Sequence, residues 1–356
     1  MVDTRGVFSI RLVNKINARG RWVDLNDVLL AITPVPDTGY FGGGWFPGPV
    51  STMDKLTYST DTTVATPSAN LTVARSGLAA TGNLTSGYFG GGAPMDKLTY
   101  STDTTVATPS ANLSVARTQL AATGNSTAGY FGGGNLPPGV SRMDKLTYST
   151  DTTVFTPGAN LKANRYTTAA TGNLTSGYFG GGTTGVNYLT TMDKLTYSTD
   201  TTAATPSANL SVGRRLPGAT GNSTNGYFGG GASPGAVSTM DKLTYSTDTT
   251  AFTPTANLSA IRYSLAATGN ISDGYFGGGS SPAIVSTMDK LTYSTDTTAF
   301  TPSANLTVAR TSLAASSAKE NALPQSTYGF RFTDGSLVIT APTPTPQTYD
   351  GNPVIV

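Results

Sequence analysis

Apolar residues in this chain come in short runs broken by turn formers, and the same run keeps returning. Gly39-Tyr40-Phe41-Gly42-Gly43-Gly44 recurs from Gly87, Gly129, Gly177, Gly226 and Gly274, at spacings of 42 to 49 residues. Each copy is followed by a variable insert, Met-Asp-Lys-Leu-Thr-Tyr-Ser-Thr-Asp-Thr-Thr, a Pro-containing turn, Ala-Asn-Leu, an Arg, and Ala-Ala-Thr-Gly-Asn or a close variant. A period of this size marks an array of supersecondary units rather than a string of unrelated domains. Each unit reads as four β segments. Segment a follows Arg75 and ends at the turn around Gly82-Asn83, and b is the glycine stretch. Segment c runs from Met53 to Ser59, and d starts after Asp61 and ends at Pro67, which has no N–H to give to a ladder.

The spacing from the repeat Met to the next Gly-Tyr-Phe is 34 residues in all five measurable cases, so all length variation lies between b and c. Those inserts hold 8, 2, 8, 9, 8 and 8 residues and differ in sequence. The first unit lacks segment a, whereas the last is followed by a spare one, Arg310 to Ser316. Moving that strand into the first unit completes six four-stranded units and leaves no free sheet edge at the seam. A triangular β-solenoid would share the period, but it has no use for orphan strands at the two ends. The expectation is an all-β, six-bladed β-propeller over residues 39–317, closed by the C-terminal strand, with Arg310 to Ser316 innermost beside Gly39 to Gly44.

At this point the repeat resembles the blades of kelch-type β-propellers. Gly42-Gly43, Tyr58 and Arg75, with their five sets of counterparts, match the glycine pair, the tyrosine and the arginine of such blades. The tryptophan of the family is replaced by Ala65, Ala107, Phe155, Ala204, Phe252 and Phe300. The resemblance therefore implies thinner packing between blades wherever alanine stands.

The flanks depart from the repeat. In residues 1–38, Phe8, Leu12 and Ile16 have helical spacing, Gly20 offers a stop, and Trp22-Val23-Asp24-Leu25 alternates like a strand. This segment reads as an attachment module or as a cap on one edge of the array. In residues 318–356, Tyr328 to Phe332 and Ser336 to Thr340 flank Asp334-Gly335, a hairpin signal, and Pro342 to Pro346 should be extended.

Composition narrows the chemistry more than it reveals it. Apolar residues make up 37% and charged residues 12%, with 42 glycines, which suits short strands and tight turns. Cysteine and histidine are both absent, which removes thiolate and imidazole ligands and the commonest general base near neutral pH. Of 20 acidic residues, twelve are the two repeat aspartates of each unit, and such rings point to structure rather than to the unlike carboxylate pair a glycosidase needs. The glycine stretch has no Gly-Lys-Ser/Thr after it, so it does not read as a phosphate loop. A net charge of +2, with each repeat lysine beside an aspartate, argues against a nucleic-acid face. No cofactor and no metal are expected. With no run of 18 apolar residues and no leader-like N-terminus, neither a membrane span nor secretion is expected. Asn-x-Ser/Thr sequons such as Asn70, Asn83, Asn112 and Asn173 read as turn residues bonding nearby backbone.

Where the repeats agree they describe a scaffold, so binding is sought where they differ. The inserts contribute Trp45, Phe46, Leu136, Arg142 and Tyr188, and the positions just after the repeat arginine contribute Gln119, Tyr166, Arg215 and Tyr263. In a kelch-type blade both sets emerge on one face, and exposed aromatics with arginine make a contact surface for protein or sugar. Unconstrained loops also drift without function.

Taken whole, the near-copy repeats, the head with Arg5-Gly6-Val7-Phe8-Ser9 and Trp22-Val23, and the absence of Cys and His resemble propeller-bearing virion proteins of tailed bacteriophages, particularly phages of marine cyanobacteria. That resemblance implies a non-enzymatic, tail-associated virion component. It would be oligomeric in the particle, joined to other virion proteins through residues 1–38 or 318–356, and its variable face would meet a host glycan or protein. A free carbohydrate-binding lectin and a propeller glycosidase are the rival readings.

Overall fold

The computed structural model describes residues 37–318 in full and, beyond them, the backbone of four short strands. The expected helix and strand in residues 1–36 and the Pro342 to Pro346 stretch lie outside the described residues. Residues 36–322 form one unit, and residues 1–35 with 323–356 form a second.

The first unit is a six-bladed β-propeller of four-stranded antiparallel sheets. In blade 1, strand a is Ala314–Ser317, b is Thr38–Gly42, c is Met53–Thr57 and d is Thr62–Ala65. Blades 2 to 6 follow the chain at residues 79–107, 121–155, 169–204, 218–252 and 266–300. The ring closes as expected, with Gly39 to Gly42 registered against Ser317 to Ala314. Strands b and d point the same way, so the b–c inserts and the d–a connectors lie at one end of every blade. That end is termed the crown. The a–b and c–d turns lie at the other end, the base.

The glycine stretch is legible once it is placed in strand b. Alternate side chains on a strand point to opposite faces, so Tyr40 packs with Phe89 and Leu98 of blade 2, whereas Phe41 packs with Tyr275 and Met288 of blade 6. One repeat thus supplies both halves of two interfaces. Six such clusters, one between each pair of blades, form the core. Gly39 leaves room for the Tyr58 hydroxyl, into which a β-carbon would run. Gly43 has φ +63° and faces the Arg75 carbonyl, a turn that turns b toward its insert and favours glycine.

The positions matching the family tryptophan do not pack between blades. Ala65, Ala107 and Ala204 are exposed at the end of the outermost strand, and Phe155, Phe252 and Phe300 are 38%, 50% and 49% exposed there. No blade lies beyond strand d to receive them, so alanine at this position thins no interface. The interfaces rest instead on the Tyr, Phe, Met and Leu of strands b and c.

The second unit contains two antiparallel strand pairs. Gly329–Arg331 pairs with Leu337–Ile339 across Asp334-Gly335, as the hairpin signal predicts, and Gln347–Tyr349 pairs with Asn352–Val354.

Candidate functional site

Two rings of charge hold the blades together. The repeat Asp and Lys are neighbours in sequence but point to opposite sides of strand c, so they do not pair with each other. Asp54, Asp96, Asp144, Asp193, Asp241 and Asp289 are buried and meet Arg310, Arg75, Arg117, Arg165, Arg214 and Arg262 at 2.6–3.0 Å. Burial pushes each guanidinium pKa down and the carboxylate opposes that shift. Each arginine also donates to the carbonyl of the Phe in its own strand b, as Arg117 does to Phe131 at 2.9 Å.

The second aspartate of the repeat sits at the base. Asp61, Asp103, Asp151, Asp200, Asp248 and Asp296 take left-handed φ of 52° to 53° in the c–d turn. Each accepts from the Tyr of strand b and from the Lys of strand c in the preceding blade. For Asp151 these donors are the Tyr88 hydroxyl at 2.5 Å and the Lys97 Nζ at 2.8 Å. Burial would raise the Asp151 pKa, but those bonds outweigh it and hold the carboxyl below its ordinary value. The phenols respond in the opposite sense: desolvation, aided by the neighbouring carboxylate, pushes Tyr88 and its five counterparts well above the usual phenol range.

The central channel is lined by the six copies of strand a, with Ala80 and Thr81 and their counterparts, around a cavity of about 70 Å³. Room for a few waters is all that this volume offers. The threonine hydroxyls bond outward to buried tyrosines, for example Thr81 to Tyr148 at 3.0 Å, so they serve the scaffold. Among the described residues, no group of three or more acidic residues is placed to hold a metal ion.

The crown is built differently. Residues of the inserts and residues just after the repeat arginine are joined by backbone bridges: Trp45 with Thr311, Asn135 with Thr118, Thr183 with Tyr166, Ala232 with Arg215 and Ser280 with Tyr263. The two variable sets expected on one face therefore share it and touch. Beneath them lies a closed circle of peptide bonds. The N–H of Gly77 donates to Ser312, Gln119 to Gly77, Thr167 to Gln119, Leu216 to Thr167, Ser264 to Leu216 and Ser312 to Ser264, at 2.6–3.0 Å. All six residues have left-handed φ, between 55° and 68°. This circle fixes the connectors around the channel mouth, so the inserts stand on a rigid collar.

Trp45, Phe46, Leu136 and Tyr188 are exposed, as a contact surface requires. Gln119, Tyr166, Arg215 and Tyr263 are half-buried, and their backbones are held in the collar or in insert bridges. Arg142 stands apart. Its guanidinium lies 3.6 Å from the centre of the Phe155 ring and donates to Ser114, on the outer flank of blade 3. Blade 1, with Trp45 and Phe46, lies three blades from Tyr188 of blade 4. The two-residue insert of blade 2 leaves a notch beside it, where Arg75 is 9% exposed against 2% or less for its five counterparts.

Sequence reasoning passed over two features. Val73, Val115, Val212 and Val308 are exposed at one connector position, two residues before the repeat arginine, and Ile261 is exposed one residue before it. Val186, in the insert of blade 4, is 88% exposed. The sequons divide: Asn83 and Asn173 bond the backbone two and three residues on, whereas Asn70 and Asn112 reach back to the N–H of Met53 and Met95 on strand c.

The fold makes this chain a six-bladed β-propeller with one variable end. No family model matches the chain, and no curated protein matches it.

Proposed function

We propose that the chain is a non-enzymatic structural and contact component of a phage virion, associated with the tail, whose crown meets a host surface receptor or another virion protein. One observation carries this reading: variation in length and exposed aromatic side chains gather at the crown, while the c–d turns of the base and the blade interfaces repeat almost without change and the a–b turns keep their length, differing only within the three residues after their asparagine. A rigid ring presenting one variable face is the layout of an adhesion module, with residues 1–38 or 318–356 as the attachment to the particle. The carboxylate rings are committed to Arg, Lys and Tyr, which leaves no unlike pair at the crown for glycoside hydrolysis.

The test is mass spectrometry of purified virions. The chain should be present at fixed stoichiometry, and virions carrying the double variant Trp45→Ala and Phe46→Ala should adsorb to host cells more slowly while containing the chain in full amount. Absence of the chain from washed particles would sink the reading. It would leave a free carbohydrate-binding propeller, which the exposed Trp45 and Phe46 also suit.

A further inference from the structure

Charge accounting across the propeller isolates a small part of the crown. Residues 37–318 include fifteen lysines and arginines, and all but two have a carboxylate within 4.0 Å. The two exceptions are Lys162 and Arg215. Arg142 has only a 3.8 Å approach to Asp144, which already holds Arg117 at 2.6 Å. The acidic residues in excess of the two repeat rings are Asp37 and Asp273, both at the start of a strand b and hence at the base. Uncompensated positive charge therefore sits at the crown, and the surplus negative charge at the opposite end.

Arg215 stands in one patch, and Lys162 lies on the connector that leads into it. Lys162 is exposed on the connector from blade 3 to blade 4, four residues before Tyr166. Tyr166 exchanges both backbone bonds with Thr183, at 3.1 and 3.0 Å, and its ring lies over Gly139, where a β-carbon would stand 2.7 Å from the ring. Thr183 bridges in turn to Tyr188. The Arg215 guanidinium lies 5.4 Å from the centre of the Tyr188 ring, and its backbone is fixed to Ala232 by bonds of 3.1 and 2.9 Å. Its Nε is buried with no hydrogen-bond partner, so part of its donor fork is unspent. The Tyr166 ring, and the Tyr188 ring with the Arg215 guanidinium beside it, are thus placed before any ligand arrives, which lowers the ordering cost of binding; the exposed Lys162 side chain adds a charge that can reach from the connector.

We infer that the patch formed by Lys162, Tyr166, Tyr188 and Arg215 on blades 3 to 5 binds an acidic saccharide, its carboxylate or sulfate paired with Arg215 and Lys162 and a sugar ring laid on the tyrosines. The inference rests on the reading of the crown as a contact surface and gives that surface a ligand class. A guanidinium fork matches the two oxygens of a carboxylate or sulfate, and aromatic faces accept the apolar side of a sugar ring. Nucleic acid fits less well, because its affinity is built from many phosphate contacts and only two cations without a carboxylate partner lie among residues 37–318.

The test is titration calorimetry of the full chain with a galacturonate oligomer, a neutral malto-oligosaccharide and a single-stranded oligonucleotide. The galacturonate oligomer should bind, with affinity falling as salt rises, and the neutral oligomer should not. Arg215→Gln should weaken binding by about tenfold, the loss of one charged hydrogen-bonded contact. Lys162→Gln should weaken it a few-fold, and Val64→Ala, on the exposed outermost strand of blade 1, should leave it unchanged. Lys162 is exposed and Tyr188→Ala removes only an insert side chain, so these two variants carry the test if Arg215→Gln unfolds. No binding of the galacturonate oligomer by the wild type, equal binding by the variants, or tighter binding of the oligonucleotide would each overturn the proposal. Failure here, with the chain still present in virions, would remove the ligand and leave the virion reading standing.

Discussion

The two ends of each blade are made from the same four strands, yet they obey opposite rules. At the base, a single aspartate must adopt left-handed φ, accept from a tyrosine and hold a lysine of the preceding blade. Three demands on one side chain leave no freedom, and the turn repeats letter for letter. At the crown, the connections among blades run through backbone: the peptide circle from Gly77 to Ser312 and the bridges from insert to connector. Backbone bonds constrain φ and ψ but not the identity of the side chain. Gln119, Leu216 and Ser264 therefore occupy one structural position, and the inserts above them are free to vary. Variation follows the kind of bond that holds each end.

The largest expected effect is one that attacks the base in all blades together. Burial raises the pKa of the twelve repeat tyrosines. Above about pH 10, the ordinary phenol value, the unfolded chain releases protons that the folded chain keeps. The native state then binds more protons than the unfolded state, and stability falls as pH rises. The contribution is complete below about pH 10 and is lost progressively above it. In an alkaline titration followed by tyrosinate absorbance and circular dichroism, these twelve should ionise only as the β signal collapses. Ionisation of more than five of the 17 tyrosines with the β signal intact would contradict this account.

A smaller effect comes from one blade at a time. Asp144 and Arg117 are both 0% exposed as a pair, so Asp144→Ala leaves a buried guanidinium without its counter-ion. The expected cost is about 3–5 kcal/mol, read from a urea midpoint. The double variant Asp144→Leu and Arg117→Met should recover most of that loss, since an apolar replacement removes both desolvation penalties. If the double variant is as unstable as the single one, the pair matters through the carbonyl of Phe131, to which Arg117 also donates, and not through charge.

The fold was legible because strand content, spacing and closure are encoded locally. A 34-residue constant interval and an orphan strand at Arg310 suffice to close a ring before any contact is known. What the sequence concealed was direction. Asp54 and Lys55 look like partners when read along the chain, but strand alternation sends one to Arg310, which leads into strand a of the same blade from the far end of the sequence, and the other to Asp103 of the next blade. The alanine in place of the family tryptophan looks like lost packing only until strand d is seen to have no outer neighbour. The candidate surface was read in part: Trp45 and Tyr188 stand out by being unlike their counterparts. Lys162 does not stand out by residue type, and it matters because every lysine of the repeat proves to be neutralised. Absence of a partner is a property of three dimensions.

The smallest expected effect tests whether crown inserts are separable from the ring. Blade 2 carries Ala93-Pro94 where blade 5 carries Ala-Ser-Pro-Gly-Ala-Val-Ser-Thr, and Arg75 is correspondingly the most exposed of its set. Grafting the eight-residue insert into blade 2 lengthens a loop by two doublings, which costs on the order of 1 kcal/mol in closure entropy. It also covers Arg75, which returns part of that cost through better shielding of its pair with Asp96. The net change in unfolding free energy should stay within about 1 kcal/mol, and the notch between blades 1 and 3 should fill. A loss of several kcal/mol would mean that the blade 2 connector is matched to its short loop. The crown would then be part of the scaffold and not a surface laid on it, and its variation would no longer be evidence of binding.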